Sequence, residues 1–178
     1  MRRKTNIQLS LMMFLQFFIW GAWFVTMGTF LGTDLQADGG QIGTAYMTQA
    51  WGAIIAPFIM GLIADRFFSA QKLLGVLHIV GSVLLYLAGN SGNFSQFYPY
   101  VLGYMVLYMP TLALVNSVSF NQMTNPTKEF AKVRIWGTIG WIAASWLFPM
   151  ITIPSWNGIG VIIRPSPAVI ASIAMNCG

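Results

Sequence analysis

The chain has 178 residues, 56% of them hydrophobic and 7% charged, with nine Lys or Arg against four Asp or Glu and a net charge of +5. Soluble domains carry about 25% charged residues, so this composition excludes an ordinary soluble protein and predicts an all-α polytopic membrane bundle. A single histidine, a single cysteine (Cys177) and no clustered acids exclude a His-pair or Cys-based metal site, an intramolecular disulfide and a His-containing triad; neither an enzyme nor a cofactor is expected.

The first apolar run, about 9–31, follows Arg2-Arg3-Lys4 and matches the ~20 residues that cross a bilayer's hydrocarbon. It is too long for a signal-peptide core and no small-residue cleavage site follows, so it is expected to remain as a membrane helix. Gln16, Trp20, Trp23 and Met27 recur at helical spacing on one face. A glutamine at that depth faces protein rather than lipid, either as hydrogen-bonded glue between helices or as part of a cavity wall.

A short loop with Asp34, Asp38 and Gly39-Gly40 leads to a second span at about 42–64, which contains Pro57. Membrane helices tolerate such prolines when neighbours satisfy the freed carbonyl. Gly61 to Arg66 closes this span and Lys72 opens the third, at about 73–88, which holds His78. His78 is read either as a packing residue hydrogen-bonded to a neighbouring helix or as a proton relay. A Gly/Asn/Ser turn precedes the fourth span, about 97–120, with Pro110 as a kink.

Asn125-Pro126 is a helix start, asparagine as N-cap and proline in the first helical position, ahead of a fifth span at about 130–150. Arg134 then lies eight residues in, roughly 12 Å along the axis at 1.5 Å per residue. Arg134, Thr138 and Trp141 fall at i, i+4 and i+7 and share one face. Gly137, Gly140 and Ala144 form a neighbouring face of small residues, on which another helix can pack closely. The first face offers a cation, a hydroxyl and an aromatic plane, the elements of a binding surface inside a membrane bundle. The competing reading of Trp136 and Trp141 is interfacial or lipid-facing aromatics, which suits Trp136 better because it lies off that face.

Arg2, Arg3, Lys4, Arg66, Lys72, Lys128, Lys132 and Arg134 all fall on the side of the N-terminus, which the positive-inside rule makes cytoplasmic. Basic residues placed this way are topology signals, and no nucleic-acid partner is expected. Four of the chain's eight prolines lie at Pro149 and beyond. A sixth span across 159–174 would bury Arg164 and two prolines in mid-helix. The chain therefore divides into a helix bundle, 1–153, and an atypical tail, 154–178, with at most a partial sixth helix.

Three stretches carry a family resemblance: Met12 to Leu31, Tyr108-Met109-Pro110-Thr111-Leu112, and Arg134-Ile135-Trp136-Gly137-Thr138-Ile139-Gly140. Together they resemble the nucleoside:H⁺ symporters, a branch of the major facilitator superfamily found in bacterial inner membranes. The resemblance runs from about Asn6 to Leu147 and stops before the tail. It implies twelve helices in two six-helix halves, with substrate at the midplane and alternating access by rocking of the halves. This chain has room for little more than the N-terminal half, so a missing C-terminal half is the implied partner, beside nucleoside, protons and the bilayer.

By the same resemblance, Arg134, Thr138 and Trp141 match positions of the nucleoside-binding helix, with Trp141 where an aromatic residue stacks on the base. Trp20 and Gln16 line the cavity from the first helix. Asp65 and Arg66 sit in a Gly-x-x-x-Asp-Arg loop that latches the halves in the superfamily. Phe68 stands there in place of a glycine and Ser69-Ala70 in place of a basic pair, and a plain cationic helix cap is the competing reading. The family's proton-coupling acids belong to the second half. The implied function is proton-coupled nucleoside uptake, with this polypeptide inactive alone; the alternatives are transport of a sugar or other small polar solute, and a truncated non-transporting membrane protein.

Overall fold

The computed structural model describes residues 3–59 and 69–151. Among the described residues, apolar runs punctuated by short polar turns give six α-helices: α1 (Arg3–Phe24), α2 (Met27–Thr33), α3 (Gly39–Ile59), α4 (Ala70–Gly89), α5 (Phe94–Gln122) and α6 (Pro126–Ile151). At the starts of α3, α5 and α6, polar side chains pair with free backbone N–H groups. Asp38 Oδ1 accepts from the Gln41 N–H at 2.8 Å, while Gln41 Oε1 accepts from the Asp38 N–H at 3.1 Å, a reciprocal cap at the start of α3. Asn93 caps α5 by accepting from the Gln96 N–H at 3.0 Å. The α6 helix begins at Pro126, and the Glu129 carboxylate accepts from the Asn125 N–H at 3.2 Å.

The first span is broken after Phe24, which the sequence does not announce. In an unbroken helix the Gly28 N–H would bond the Phe24 carbonyl. Instead the Tyr46 hydroxyl, from α3, accepts from the Gly28 N–H at 3.0 Å and donates to the Phe24 carbonyl at 3.2 Å. A side chain inserted into the i→i−4 ladder is a recognised cause of a helix break. Thr26 adds to it by donating to the Trp23 carbonyl. By contrast, α5 runs through Pro99 and Pro110 without interruption.

The α1 helix packs along α6, and α5 packs against α3 and α4, with α1 and α5 meeting between them. One core cluster joins Leu9 and Met13 of α1 to Leu74 and Leu77 of α4, Leu114 and Val118 of α5, and Val133 of α6. A second joins Trp23, Met27 and Leu31 to Ala45 and to Tyr104, Met105 and Tyr108 of α5. The α1–α5 contact is hydrogen-bonded as well. The Gln16 amide donates to Thr111 Oγ1 at 2.7 Å, the Thr111 hydroxyl donates to the Tyr108 carbonyl at 2.5 Å, and the Tyr108 hydroxyl returns to the Gln16 carbonyl.

Close helix approach falls on glycines. At Gly52 of α3 a Cβ would stand 2.5 Å from the Met105 carbonyl oxygen of α5. At Gly21 of α1 it would meet the Trp141 carbonyl oxygen at 2.9 Å and Ala144 Cβ at 3.3 Å. Gly140 lies against the Phe14 backbone, so the small-residue face of α6 is the one that receives α1. Among the described residues, three stretches are long and apolar enough to cross a membrane: Arg3–Thr33, Ala70–Gly89 and Phe94–Gln122. The polar, glycine and tryptophan content of α3 and α6 lowers their apolarity, and both helices help to line the cleft described next.

Candidate functional site

A cleft of about 370 Å³ opens between α1, α3 and α6, lined by Phe17, Trp20, Phe24, Gln49, Arg134, Thr138 and Trp141. That volume is within the range of small-molecule sites. Four of the lining residues are aromatic. Trp20 meets Trp141 edge to face, with ring centroids 5.0 Å apart and planes at 82°. Phe24 touches both indoles, at 5.7 Å from Trp20 and 6.3 Å from Trp141. Behind this wall Trp20 leans on Tyr108 at 5.8 Å, and Phe24 on Tyr46 at 5.1 Å. The rings therefore brace one another and hold the Trp141 plane in a fixed attitude.

The three polar side chains of the cleft are in the opposite condition from those at the α1–α5 contact. Arg134 is half-buried, its guanidinium carbon 4.2 Å from the centroid of the Phe17 ring, a cation–π contact. Among the described residues it has no carboxylate partner. Gln49 is half-buried and Thr138 exposed to the cleft, and the side chain of neither makes a hydrogen bond to a described residue. The Trp20 Nε1–H is buried without an acceptor among the described residues. In a membrane bundle an ionisable residue facing the interior with no counter-charge marks a site where something else supplies the partner. A planar solute with polar edges fits this arrangement: aromatic planes for its faces, a cation, an amide and a hydroxyl for its rim.

The structure thus brings Arg134, Thr138, Trp141 and Trp20 to one cleft. Gln16 does not line it; the side chain is 2% exposed and committed to Thr111, so the contact it makes is the one between helices. Trp136 is exposed on the outer side of α6. The His78 Nδ1–H donates to the Leu74 carbonyl of its own helix at 2.9 Å, and its ring packs on Tyr108. Asp65 and Arg66, read as a gating pair, and the tail from 154 onward lie outside the described residues. The sequence reading passed over Phe17, Phe24 and Gln49. Phe17, Trp20 and Phe24 recur at i, i+3 and i+7, and Gln49 is a polar residue in mid-span, the same signal that singled out Gln16.

Comparison with known proteins identifies the family. A family model described as Nucleoside H+ symporter matches residues 3–163. YegT of Escherichia coli is 45% identical over 79% of this chain and 33% of its own length. Nucleoside permease NupG of Escherichia coli is 34% identical over 81% of this chain and 35% of its own length. The crystal structure of nucleoside transporter NupG superposes with a TM-score of 0.88 at 28% identity, covering 97% of this chain and 43% of that one. The chain spans about a third of the length of the curated relatives it matches. It is a multi-pass membrane protein, and it belongs to the nucleoside H⁺ symporter family.

Proposed function

We propose that this chain forms the N-terminal, substrate-gripping part of a proton-coupled nucleoside transporter of the bacterial inner membrane, with its N-terminus cytoplasmic. The observation that carries the reading is the cleft itself. Arg134 and Thr138 stand with no described hydrogen-bond partner beside the braced plane of Trp141, inside a chain of this family. Trp141 stacks on the base, worth about 1–3 kcal/mol for base–aromatic contacts. Arg134 and Thr138 donate hydrogen bonds that orient the nucleoside against it. Trp20 braces Trp141 and closes the α1 side.

In this reading the remaining substrate contacts and the proton-coupling carboxylates come from the part of the fold that the chain does not span. Alternating access comes from rocking the two parts about the site, with Asp65 and Arg66 biasing the two states. The test is equilibrium binding to the purified chain in lipid nanodiscs, read by tryptophan fluorescence with uridine, adenosine and glucose as ligands. Uridine and adenosine are expected to compete for one site that Arg134→Ala weakens. Glucose binding with no nucleoside competition would refute the reading in favour of a sugar transporter. Vesicles holding only this chain are expected not to accumulate uridine.

A further inference from the structure

Among the described residues, Gln49 is the one lining residue contributed by α3, and its backbone is held on several sides. One turn earlier Tyr46 ties α3 to the α1–α2 junction through both Phe24 and Gly28. The adjacent Thr48 is fully buried, with its hydroxyl on the Ala45 carbonyl. Next, Gly52 lies against the α5 backbone. The amide, in contrast, is half-buried in the cleft and makes no hydrogen bond to a described residue.

The polar groups of the cleft differ in what they offer. Arg134 only donates, the Trp20 N–H only donates, and Thr138 carries one rotating hydroxyl. Gln49 alone among the described lining residues holds a donor and an acceptor side by side in one plane. That arrangement is the complement of a heterocyclic base edge, such as N3–H with C4=O in uracil or N3 with the amino group in cytosine. Vicinal sugar hydroxyls can also meet it, but as rotating groups that impose no fixed order of donor and acceptor. We infer that Gln49 is a specificity-determining residue of this site, its carboxamide making a two-point hydrogen-bonded contact with the edge of the base stacked on Trp141. The inference rests on the nucleoside reading above. Because the terminal torsion of glutamine is broad and roughly two-fold, the amide turns over to serve either order of donor and acceptor. It therefore accepts both uridine and cytidine.

The experiment titrates the 178-residue chain in nanodiscs with uridine, cytidine and 3-methyluridine, whose blocked N3 removes the edge donor. A two-point base contact discriminates by about tenfold. Wild type is expected to prefer uridine to 3-methyluridine by that factor. Gln49→Met, which keeps the length of the side chain, is expected to weaken uridine about tenfold and leave 3-methyluridine unchanged. Gln49→Glu, an acceptor only, keeps one point with either base, the N3–H of uridine or the amino group of cytidine, and opposes the acceptor beside it, so it is expected to weaken both. Equal weakening of uridine and 3-methyluridine by Gln49→Met, or no change in either, would overturn the role of Gln49 and leave the nucleoside site standing. A wild-type chain that binds no nucleoside would overturn both.

Discussion

Gly140→Ala is the sharpest test of how the cleft is held. A Cβ at Gly140 would run into the Phe14 carbonyl oxygen, with the carbonyl carbon at 3.0 Å and Cα at 3.1 Å, all inside the 3.4 Å at which ordinary contact begins. The obstacle is backbone, so no rotamer change relieves it, and α6 must withdraw from α1 by about 1 Å. A gap of that size forfeits about a quarter to a half of each dispersion contact along the seam. Overpacking of this kind costs about 1–3 kcal/mol, set against a gain of about 1 kcal/mol for Ala over Gly in a helix. The net destabilisation is up to about 2 kcal/mol, a fall of up to about 8 °C in the melting midpoint at this chain length. Gly43→Ala is the control: nothing lies within 4 Å of its Cβ position, so the helix gain stands alone and the midpoint rises. Thermal unfolding in detergent followed by circular dichroism measures both. Uridine affinity should fall in the Gly140 variant only, because Trp141 retreats from Trp20. A Gly140→Ala protein as stable as wild type with unchanged uridine affinity would refute the close-packed seam.

Three further outcomes are expected. Trp141→Ala should weaken uridine binding about tenfold or more, the value of one base–aromatic stack, while Trp141→Phe keeps most of it, as fluorescence from Trp20 would report. Gln16→Leu removes the donor to Thr111 and should cost about 1 kcal/mol in unfolding free energy with no change in uridine affinity; a large loss of affinity at unchanged stability would place Gln16 in the site. Tyr46→Phe deletes the hydroxyl that bridges Phe24 and Gly28. Amide exchange at Gly28 should quicken if the break persists, or slow if Gly28 bonds Phe24 directly and α1 and α2 fuse. Unaltered exchange would mean the hydroxyl does not cause the break.

The cleft face of α6 is legible in the sequence because Arg134, Thr138 and Trp141 interrupt an apolar run at helical spacing, and the adjacent stripe of Gly137, Gly140 and Ala144 says where a neighbour can sit. On α1 the same logic leaves the direction of the face open between core and cavity. Gln16, Trp20, Trp23 and Met27 read as one face, yet Gln16, Trp23 and Met27 are buried in the bundle and only Trp20 turns to the cleft. A helix enclosed on most sides has no polar flank to orient it, so periodicity cannot separate a core-facing side from a cavity-facing one. The break after Phe24 is invisible for another reason. Its cause is a tyrosine 18 residues away in sequence, a tertiary effect that no local propensity encodes.

Two polar clusters in this bundle, one closed and one open, separate the α1–α5 contact from the cleft proposed as the site. Gln16, Thr111 and Tyr108 lie deep in the helix packing, and each donates to another group within the set. Their arrangement binds helices together, with each donor turned inward to the set. Arg134, Thr138 and Gln49 share a cleft of about 370 Å³ and have no described hydrogen-bond partners. Lipid cannot satisfy such groups, and leaving them bare in a bilayer costs several kcal/mol each. A polar group kept open at that cost is stabilised only when water or a solute fills the cleft. A solute that satisfies all three groups and also covers the Trp141 face displaces water from the apolar wall. The open valences therefore favour a ligand that is planar, aromatic and polar at its rim.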